Sequence, residues 1–590
     1  MFANGLRGAS RRFSLRWFCS QPSYIHKASL TPLLNSTIGE CLRKSVEEVP
    51  NQELFVFSHQ GVRKTFCEVL QDSQNLAKGL LKLGLRPGDR VGIWGPNYYE
   101  WATTQFGTAL AGLVLVTINP MYQTDELEYA LRQVGVKALV TPTEYKRRNY
   151  YRALNEIIPQ LANEKEGVGL VHDRRLPDLK HLIIFGNEGR QFRGAWNYTD
   201  IISSGGKDEE DLMNDITKKI APDQPVNVQY TSGTTGYPKA ATLSHHNIVN
   251  NAYFVGRRTK IGKKKHTVCI PNPLYHCFGC VMGTLSGTIH KNTCIFPAPS
   301  FNAQKAIEAI ATERCTCLFG TPTMFIDILG NQLLSERDVS SLSMGVISGA
   351  PCPKALCERL VNDMNLQDIV VAYGSTEMSP VATCSVYEDP PLERIKNVGY
   401  PLEHAEVSVV DENGCVVPRG EPGELRVRGW LVMREYWGDI ERTEDVITKE
   451  RWYRTGDTAI MNETGSVNIV GRSKDMIIRG GENIYPAEIE QFLFKHYAIA
   501  DAHIIGVPDE RFGEEMCAWI RLKDGHDEVS AESIREYCRG KIAPFKIPRY
   551  ILFKKEHEFP LTATGKVRKV EIRELSKKEL GLQQIQSHFN

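Results

Sequence analysis

The stretch "QYTSGTTGYPKAA", residues 229–241, sets three threonines, a serine and two glycines in front of a Pro-Lys pair. A run this polar and this rich in glycine does not suit a protein core. It offers hydroxyl donors, exposed backbone amides and one cation, and together these groups suit a polyphosphate anion. An ordinary surface loop has a similar composition, so the stretch alone leaves both interpretations open.

The spacing within this stretch excludes a Walker A phosphate loop. That motif places its lysine directly after a glycine and follows it with Ser or Thr. Here Pro238 precedes Lys239, Ala240 follows it, and Gly233 and Gly236 are too close together. A phosphate site here must therefore be of another kind.

The segments on either side predict alternating strands and helices. A strand at 225–230 comes before the polar loop, and Ser244 is a plausible N-cap for a helix directly after it. A helix is predicted at 68–84, and residues 202–224 have the polar character of a surface connection. The other predicted strands are 89–95, 137–142, 181–186, 268–270, 294–296, 344–348 and 369–373. This alternation predicts α/β layers with mostly parallel sheet.

The length of 590 residues predicts more than one domain. At 471–494 a strand-like "MIIR" meets a glycine pair, and Pro486 stands where a helix would begin. The predicted fold class is α/β, with a large N-terminal α/β domain of layered sheets and helices and a smaller mobile C-terminal α+β domain. The predicted bounds are 41–473 and 474–590.

The composition is that of an ordinary globular protein, with 42% hydrophobic and 24% charged residues and a net charge of +1. This balance gives no reason to expect a nucleic acid partner. No apolar run reaches the ~18 residues of a membrane span, so no transmembrane segment is predicted. Fifteen scattered cysteines indicate a reducing compartment. Cys277 and Cys280 form a C-x-x-C pair without a second pair at zinc spacing, which favours core thiols over a metal site.

The first 40 residues differ in composition from the rest. They contain several serines and no acidic residue before Glu40, and their basic residues are Arg7, Arg11, Arg12, Arg16 and Lys27. This composition is typical of a mitochondrial transit peptide, with a disordered basic tail as the alternative. Residues 1–40 are therefore predicted to be a transit peptide, and the mature protein is predicted to lie in the mitochondrial matrix.

Four further motifs follow "YTSGTTGYPK" in order along the chain. They are "YGSTE" (373–377), "YRTGD" (453–457), "GRSKDMIIRGGENIYP" (471–486) and "PLTATGK" (560–566). This set resembles the signatures of the adenylate-forming superfamily, which comprises acyl-CoA synthetases, luciferases and peptide-synthetase adenylation domains. Within it, "NPLYHCFG" and "FKIPRY" are similar to segments of mitochondrial medium-chain acyl-CoA ligases. The resemblance covers almost the whole chain after residue 40.

The resemblance implies a reaction in two steps. A fatty acid carboxylate and ATP give acyl-AMP and pyrophosphate, and coenzyme A then displaces AMP to form the acyl-CoA thioester. It implies ATP, Mg²⁺ and CoA as cofactors and a fatty acid, of medium chain length, as substrate. The first stretch would hold the β,γ-phosphates through Thr231, Ser232, Gly233, Thr234, Thr235, Gly236, Tyr237, Pro238 and Lys239. The superfamily usually has glycine where this chain has Ala240, which puts the fine geometry of that loop in doubt.

The resemblance also implies the residues around the adenylate. Thr376 and Glu377 stand at the substrate-phosphate and magnesium positions, and a Glu-bound Mg²⁺ would neutralise the anions that must meet. Tyr373 would stack on adenine, facing a wall of Gly349, Ala350 and Pro351. Without the resemblance, "YGSTE" is equally a polar turn after a strand.

Asp457 stands at the position that accepts both ribose hydroxyls, and two O–H donors suit the two oxygens of a carboxylate. Arg472 stands at the position of the partner for ribose and phosphate. As isolated residues they would be an ordinary turn and a surface arginine.

The remaining implied residues concern the acyl group and the small domain. Lys566 matches the lysine that enters the site during adenylation, where a flexible cation bridges carboxylate and phosphate oxygens. His276 resembles a residue beside the acyl and adenylate groups, with a packed core histidine as the alternative. Lys474 stands at the hinge position, and Gly480 and Gly481 would line the CoA channel.

Three rival functions stay open. A peptide-synthetase module would need a carrier domain, and a luciferase-like oxygenase shares the first step and would consume oxygen. A non-catalytic protein of the same fold would typically lack Glu377, Asp457 or Lys566, and all three are present. The sequence predicts no oligomeric state.

Overall fold

The computed structural model describes residues 21–146, 148–186, 189–231, 238–350, 352–472, 475–479, 482–509, 512–539, 541–542, 544–562 and 565–584. Its α-helices are α1 Ile38–Glu48, α2 Phe66–Lys82, α3 Tyr99–Leu110, α4 Thr124–Val134, α5 Tyr150–Ile157, α6 Tyr198–Ser204, α7 Lys207–Thr217, α8 His245–Arg258, α9 Ser286–His290, α10 Ala303–Thr312, α11 Pro322–Leu329, α12 Leu333–Glu336, α13 Lys354–Asp363, α14 Pro391–Arg394, α15 Ile440–Val446, α16 Pro486–Leu493, α17 Ala531–Cys538 and α18 Lys569–Glu579.

Its strands are β1 Tyr24–His26, β2 Glu53–Phe57, β3 Val62–Thr65, β4 Arg90–Trp94, β5 Val114–Ile118, β6 Ala138–Pro142, β7 Glu144–Tyr145, β8 Arg148–Asn149, β9 His181–Phe185, β10 Trp196–Asn197, β11 Pro225–Thr231, β12 Lys239–Ser244, β13 Thr267–Cys269, β14 Thr293–Phe296, β15 Cys317–Gly320, β16 Met344–Ile347, β17 Asp368–Gly374, β18 Val381–Cys384, β19 Tyr400–Pro401, β20 Glu406–Val410, β21 Pro422–Arg428, β22 Glu435–Tyr436, β23 Tyr453–Met461, β24 Val467–Arg472, β25 Ile477–Arg479, β26 Glu482–Ile484, β27 Ile499–Asp509, β28 Gly513–Leu522 and β29 Tyr550–Phe553.

Two large mixed sheets form the centre of the large domain. Their strand orders are β10-β9-β6-β4-β5-β11-β12-β22 and β19-β18-β17-β16-β15-β13-β14-β2-β3. The inner strands pair in parallel, whereas β12, β22, β18, β19 and β3 join antiparallel. One core cluster contains residues of both sheets and of α1, α2, α3 and α8. The predicted α/β class with mostly parallel sheet is therefore confirmed.

Two further sheets complete the molecule. An antiparallel sheet in the order β1-β20-β21-β23-β24 carries the "YRTGD" motif on β23. The small C-terminal unit has the order β26-β25-β28-β27, with β29 paired in parallel to β28. Its core is a separate cluster of residues from 477 to 551. The sheet is mainly antiparallel and is accompanied by α16, α17 and α18, as expected for an α+β domain.

Most predicted elements occur within one to three residues of their predicted bounds, and Ser244 is the N-cap of α8, accepting from Asn247 N at 3.2 Å. Two predictions were wrong. Strand β12 lies between the polar loop and α8, because its apolar side chains, including Ala241 and Leu243, are fully buried. The segment predicted as a surface connection contains α7, which is anchored by buried Met213.

The cysteine pair lies in the core, as predicted. Cys277 and Cys280 are both fully buried, and burial raises the pKa of the Cys280 thiol to about 12. Within the described ranges no group of three or more His, Cys, Asp or Glu side chains is placed to hold a metal ion. Among those same residues, no helix combines the length and the apolar character needed to cross a bilayer.

Candidate active site

The motif residues gather where β11, β15 and β17 end. Thr231 ends β11, Gly374 ends β17, and a 3₁₀ turn, Thr376–Met378, follows β17 directly. Strand β11 belongs to one large sheet and β15 and β17 to the other, so the carboxyl edges of the two sheets meet here and bring together loops from distant parts of the sequence.

Glu377 is the buried carboxylate of this edge, with 8% of its surface exposed. The Tyr436 hydroxyl donates to its Oε1 at 2.8 Å, and the Thr231 hydroxyl lies 3.5 Å from the same oxygen. Burial and the Glu377 charge raise the pKa of Tyr436, so this phenol keeps its proton and acts as a donor. The predicted magnesium position is thus joined to the strand that leads into the polar loop.

The two ends of the polar loop lie on either side of this carboxylate. Lys239 begins β12 with its ammonium 5.1 Å from the centre of the Tyr436 ring. Ala240 is fully buried, and its methyl packs in the core cluster on the far face of β12. The substitution of glycine by Ala240 therefore adds apolar contact with the core. Ser232, Gly233, Thr234, Thr235, Gly236 and Tyr237 lie outside the described residues, and Pro238 directly precedes β12.

Tyr373 and Asp457 meet although they are far apart in sequence. The Tyr373 hydroxyl donates to Asp457 Oδ2 at 2.5 Å, and the Thr455 hydroxyl accepts from Asp457 N at 3.1 Å. Burial, followed by the Asp457 charge, raises the pKa of Tyr373. Arg472 pairs with Asp457 in register across β23 and β24. The residues predicted at adenine and ribose therefore form one connected group.

His276 and Lys566 come together from the two domains. Burial first, and then the positive charge of Lys566, lower the pKa of His276 to about 4, while Glu377 opposes this shift. The imidazole is therefore neutral near pH 7 and accepts from Phe278 N at 3.3 Å. The lysine loop is closed by Thr562 N donating to Lys566 O at 2.7 Å and Lys566 N donating to the Thr562 hydroxyl at 3.0 Å.

Of the other predicted site residues, the structure describes Gly349, Ala350 and Thr376. Gly349 has a φ of +90° beyond β16, and a β-carbon there would lie 3.4 Å from the Thr321 methyl. Ala350 follows it, and Pro351 is outside the described residues. Thr376 is buried and lies beside the Cys277 thiol. Gly480, Gly481 and the hinge residue Lys474 also lie outside the described residues.

Two features of the site were missed from the sequence. Tyr436 belongs to none of the motifs, and its contact with Glu377 spans 59 residues. Helix α11 was not predicted to contact the small domain, yet the Thr323 hydroxyl donates to Gly565 O at 3.0 Å. Neither contact has a local sequence signal, since each depends on tertiary packing.

Comparison with known proteins identifies the family of this chain. The family model described as AMP-binding enzyme matches residues 42–437, and the model of the AMP-binding enzyme C-terminal domain matches residues 488–566. The medium-chain acyl-CoA ligase ACSF2, mitochondrial, of Danio rerio is 47% identical over 562 residues, covering 95% of this chain and 91% of the relative. The protein of the same name from Homo sapiens is 44% identical over 565 residues, covering 95% and 91%.

A solved structure shares the whole architecture. The anthranilate CoA ligase AuaEII in complex with anthranoyl-AMP aligns with a TM-score of 0.81 and 25% identity, covering 93% of this chain and 99% of that chain. The chain belongs to the AMP-binding enzyme family. It is an AMP-forming acyl-CoA ligase, which uses ATP, Mg²⁺ and CoA to convert a fatty acid to acyl-AMP and then to acyl-CoA. It is a mitochondrial protein, as are the ligases of Danio rerio and Homo sapiens named above.

The donor set fits magnesium bound together with ATP. Mg²⁺ is usually held by one or two carboxylates plus substrate phosphates, with water in the remaining positions. Glu377 supplies one buried carboxylate beside Thr231, at the mouth of the polar loop. This arrangement needs the phosphates of the nucleotide to complete the coordination.

Proposed function

We propose that this ligase acts on medium-chain fatty acids. The observation that carries the proposal is the 44–47% identity to medium-chain acyl-CoA ligases over 95% of the chain. The chain also has a tightly packed region beside a π-helix, Phe278–Leu285, that begins two residues after His276. Its lining is mostly apolar and includes Ile261, Val268, Ile270, Met282, Cys294 and Phe319. This packing leaves no room for a water molecule, so an acyl chain that ended there would have limited space, and the names of the relatives support a medium length.

The test is a panel of straight-chain acids from butyrate to stearate with saturating ATP and CoA. AMP and thioester are measured in the same reaction, so that adenylation without transfer is recognised. The specificity constant should be highest at medium lengths. An optimum at stearate or at butyrate would contradict the proposal.

The side chains around the carboxylate support specific roles in adenylation. The attacking carboxylate and the phosphates of ATP are all anionic, so the first step needs positive charge between them. Lys239 and Thr231 would bind the β,γ-phosphates, and Glu377 with Thr376 would hold the Mg²⁺ that neutralises them. Lys566 would lie between the carboxylate and the α-phosphate. The neutral imidazole of His276 would line the site and form hydrogen bonds, and it would not act as a second cation.

The nucleoside would be bound by the group around Asp457. Its carboxylate would accept from the ribose hydroxyls, the ring of Tyr373 would pack on adenine opposite Gly349, and Arg472 would add a cation near ribose and phosphate. The hydrogen bond from Tyr373 to Asp457 supports this assignment, because it holds the ring and the carboxylate in one fixed arrangement.

Half-reaction assays test the role of Lys566. Lys566→Ala should slow pyrophosphate release in a single turnover, because charge stabilisation is lost, yet it should still form thioester from supplied acyl-adenylate. Lys474→Pro fixes φ at the hinge position and should show the opposite defect. Native adenylation by Lys566→Ala, or loss of the same step in both variants, would contradict these assignments.

We also propose a domain organisation and a compartment. The large domain would extend to 473 and the mobile domain would cover 474–590, with the matrix as the compartment. Because β1 and the N-terminus of α1 pack in the large domain, the transit peptide predicted at 1–40 would end before Tyr24. The change of sheet between β24 and β25 supports the boundary, and the acid-free basic start supports the leader. A fluorescent reporter fused to residues 1–40 should enter the matrix, and the same fusion with its arginines changed to glutamine should stay in the cytosol.

A further inference from the structure

One face of α11 carries the contacts that hold the lysine loop against the large domain. Thr323 donates to Gly565 O at 3.0 Å, next to Lys566. Asp327 lies four residues further along the helix and therefore on the same face. Its Oδ1 is 3.5 Å from Arg521 Nη2 on β28 of the small domain. The two contacting residues, Thr323 and Asp327, are therefore about one helical turn apart.

Arg521 is surrounded by carboxylates from both domains. Its Nη1 lies 2.9 Å from Glu556 of the small domain, and Asp501 is its register partner across β27 and β28. Asp501 in turn lies 3.1 Å from the His503 ring. Only 15% of the Arg521 side chain and 20% of the Asp327 side chain are exposed. With the guanidinium removed, three carboxylates would lie close together without a cation between them; Asp327 and Asp501 are mostly buried and the Glu556 side chain is 68% exposed.

The positive charge of Arg521 partly offsets the negative charges around Asp327. Burial, and then the charge of Glu556, raise the pKa of Asp327 to about 6, against the opposing effect of Arg521. The ionised Asp327 is thus disfavoured where the domains meet, even with its partner present. Removing one partner of a partly buried ion pair leaves the other charge uncompensated, which costs more than the intact pair contributes.

We propose that Arg521 is a positioning residue for adenylation, balancing Asp327 of the large domain against Asp501 and Glu556 and so holding the lysine loop on α11. It acts through Lys566 and has no contact with the reacting groups. The proposal rests on the assigned role of Lys566 in the first half-reaction. It makes α11 the docking surface of the small domain in the orientation that brings Lys566 beside His276.

The test is a pair of half-reaction assays on Arg521→Met, which keeps the aliphatic stem and removes the charge. Single-turnover pyrophosphate release should slow about tenfold or more, because carboxylate repulsion opens the contact. Thioester formation from supplied acyl-adenylate should stay within about twofold, since that step does not use the lysine loop. Arg539→Met is the matched control, because Arg539 pairs with Glu532 and Glu536 inside the small domain.

A second substitution separates positioning from general stability. In Arg521→Met/Asp327→Asn the facing carboxylate is neutral, so adenylation should recover to within about threefold of the native rate. The defect of Arg521→Met alone should also narrow as pH falls from 8 toward 6, since protonation of Asp327 removes the same charge. Asp327→Lys, made from the other domain, should reproduce the selective loss by placing a cation against Arg521.

Three results would overturn the proposal. They are native adenylation by Arg521→Met or by Asp327→Lys, equal loss of both half-reactions, and failure of Asp327→Asn to restore the double variant. Lys566→Ala is assayed beside them. If that variant adenylates normally, the role assigned to Lys566 is wrong; if it fails while Arg521→Met does not, only the positioning role is wrong.

Discussion

At the scale of single residues, the motifs pointed to individual side chains but did not predict the hydrogen bonds between them. Tyr373, Glu377 and Asp457 were found because each belongs to a signature with fixed neighbours. The hydrogen bonds that join them to one another and to Tyr436 cross 59 to 84 residues of sequence. Such contacts depend on how the sheets pack, and no local pattern encodes them.

Asp457 is the residue whose replacement should affect the nucleotide most directly. Asp457→Ala removes a charged acceptor, and a hydrogen bond to a charged group contributes ~1.5–3 kcal/mol, so ATP affinity should fall about ten- to a hundredfold. Calorimetric titration with ATP and Mg²⁺ measures this. Asp411→Ala, in an exposed turn beside the same sheet, should bind normally. Native affinity in a folded Asp457→Ala protein would refute the ribose assignment.

At the scale of elements, sequence periodicity predicted most helices and strands. It failed where tertiary burial, and not the local sequence pattern, determines the structure. Strand β12 follows a polar loop and consists largely of small residues, so no alternation marks it. It forms because its side chains fill the space between β11 and β22. The π-helix could not be predicted from the sequence either, because one extra residue in a helical turn does not change the apolar composition of the segment.

If the acyl chain ends beside that π-helix, the preferred chain length should depend on Met282, which is 3% exposed and packs in the region next to the helix. Met282→Ala enlarges the space, so the preferred acid should become longer by about two carbons, with some loss of stability from the cavity. Met282→Trp fills the space and should shift the preference to shorter acids. The specificity constants across the acid panel report both changes.

Met213→Ala is the matched control for these variants. Met213 is a buried methionine of α7 that is not among the residues lining the region around Met282, so its truncation should lower stability without moving the preferred length. An unchanged length profile in both folded Met282 variants would mean that the acyl chain lies elsewhere.

At the scale of the whole molecule, composition and motif order predicted the two-domain α/β architecture. Composition and motif order did not predict how buried charges are balanced across the molecule. Arg521 shows this at the domain contact, and five histidines of the large domain show it elsewhere. His245 and His266 are buried, whereas His59, His276 and His290 are partly exposed. Burial lowers the pKa of His59, His266, His276 and His290 to about 4 and that of His245 to about 3. Each of them is neutral in the folded protein near pH 7.

These histidines should make the large domain sensitive to acid. Their pKa values are lower when folded than the unfolded value of about 6.5, so the unfolded chain binds more protons between pH 6.5 and about 4. The free energy of unfolding therefore falls as pH drops through that window, and thermal unfolding from pH 7.5 to 5 should show a falling Tm. His245 is the best single test, because its Nδ1 accepts from Ile38 N at 3.1 Å and so must stay neutral. His245→Asn, which does not titrate, should flatten the dependence of Tm on pH, whereas His172→Asn, at an exposed position, should leave it unchanged. If His245→Asn keeps the native slope, protonation of this buried histidine does not drive acid unfolding, and the sensitivity must come from other groups.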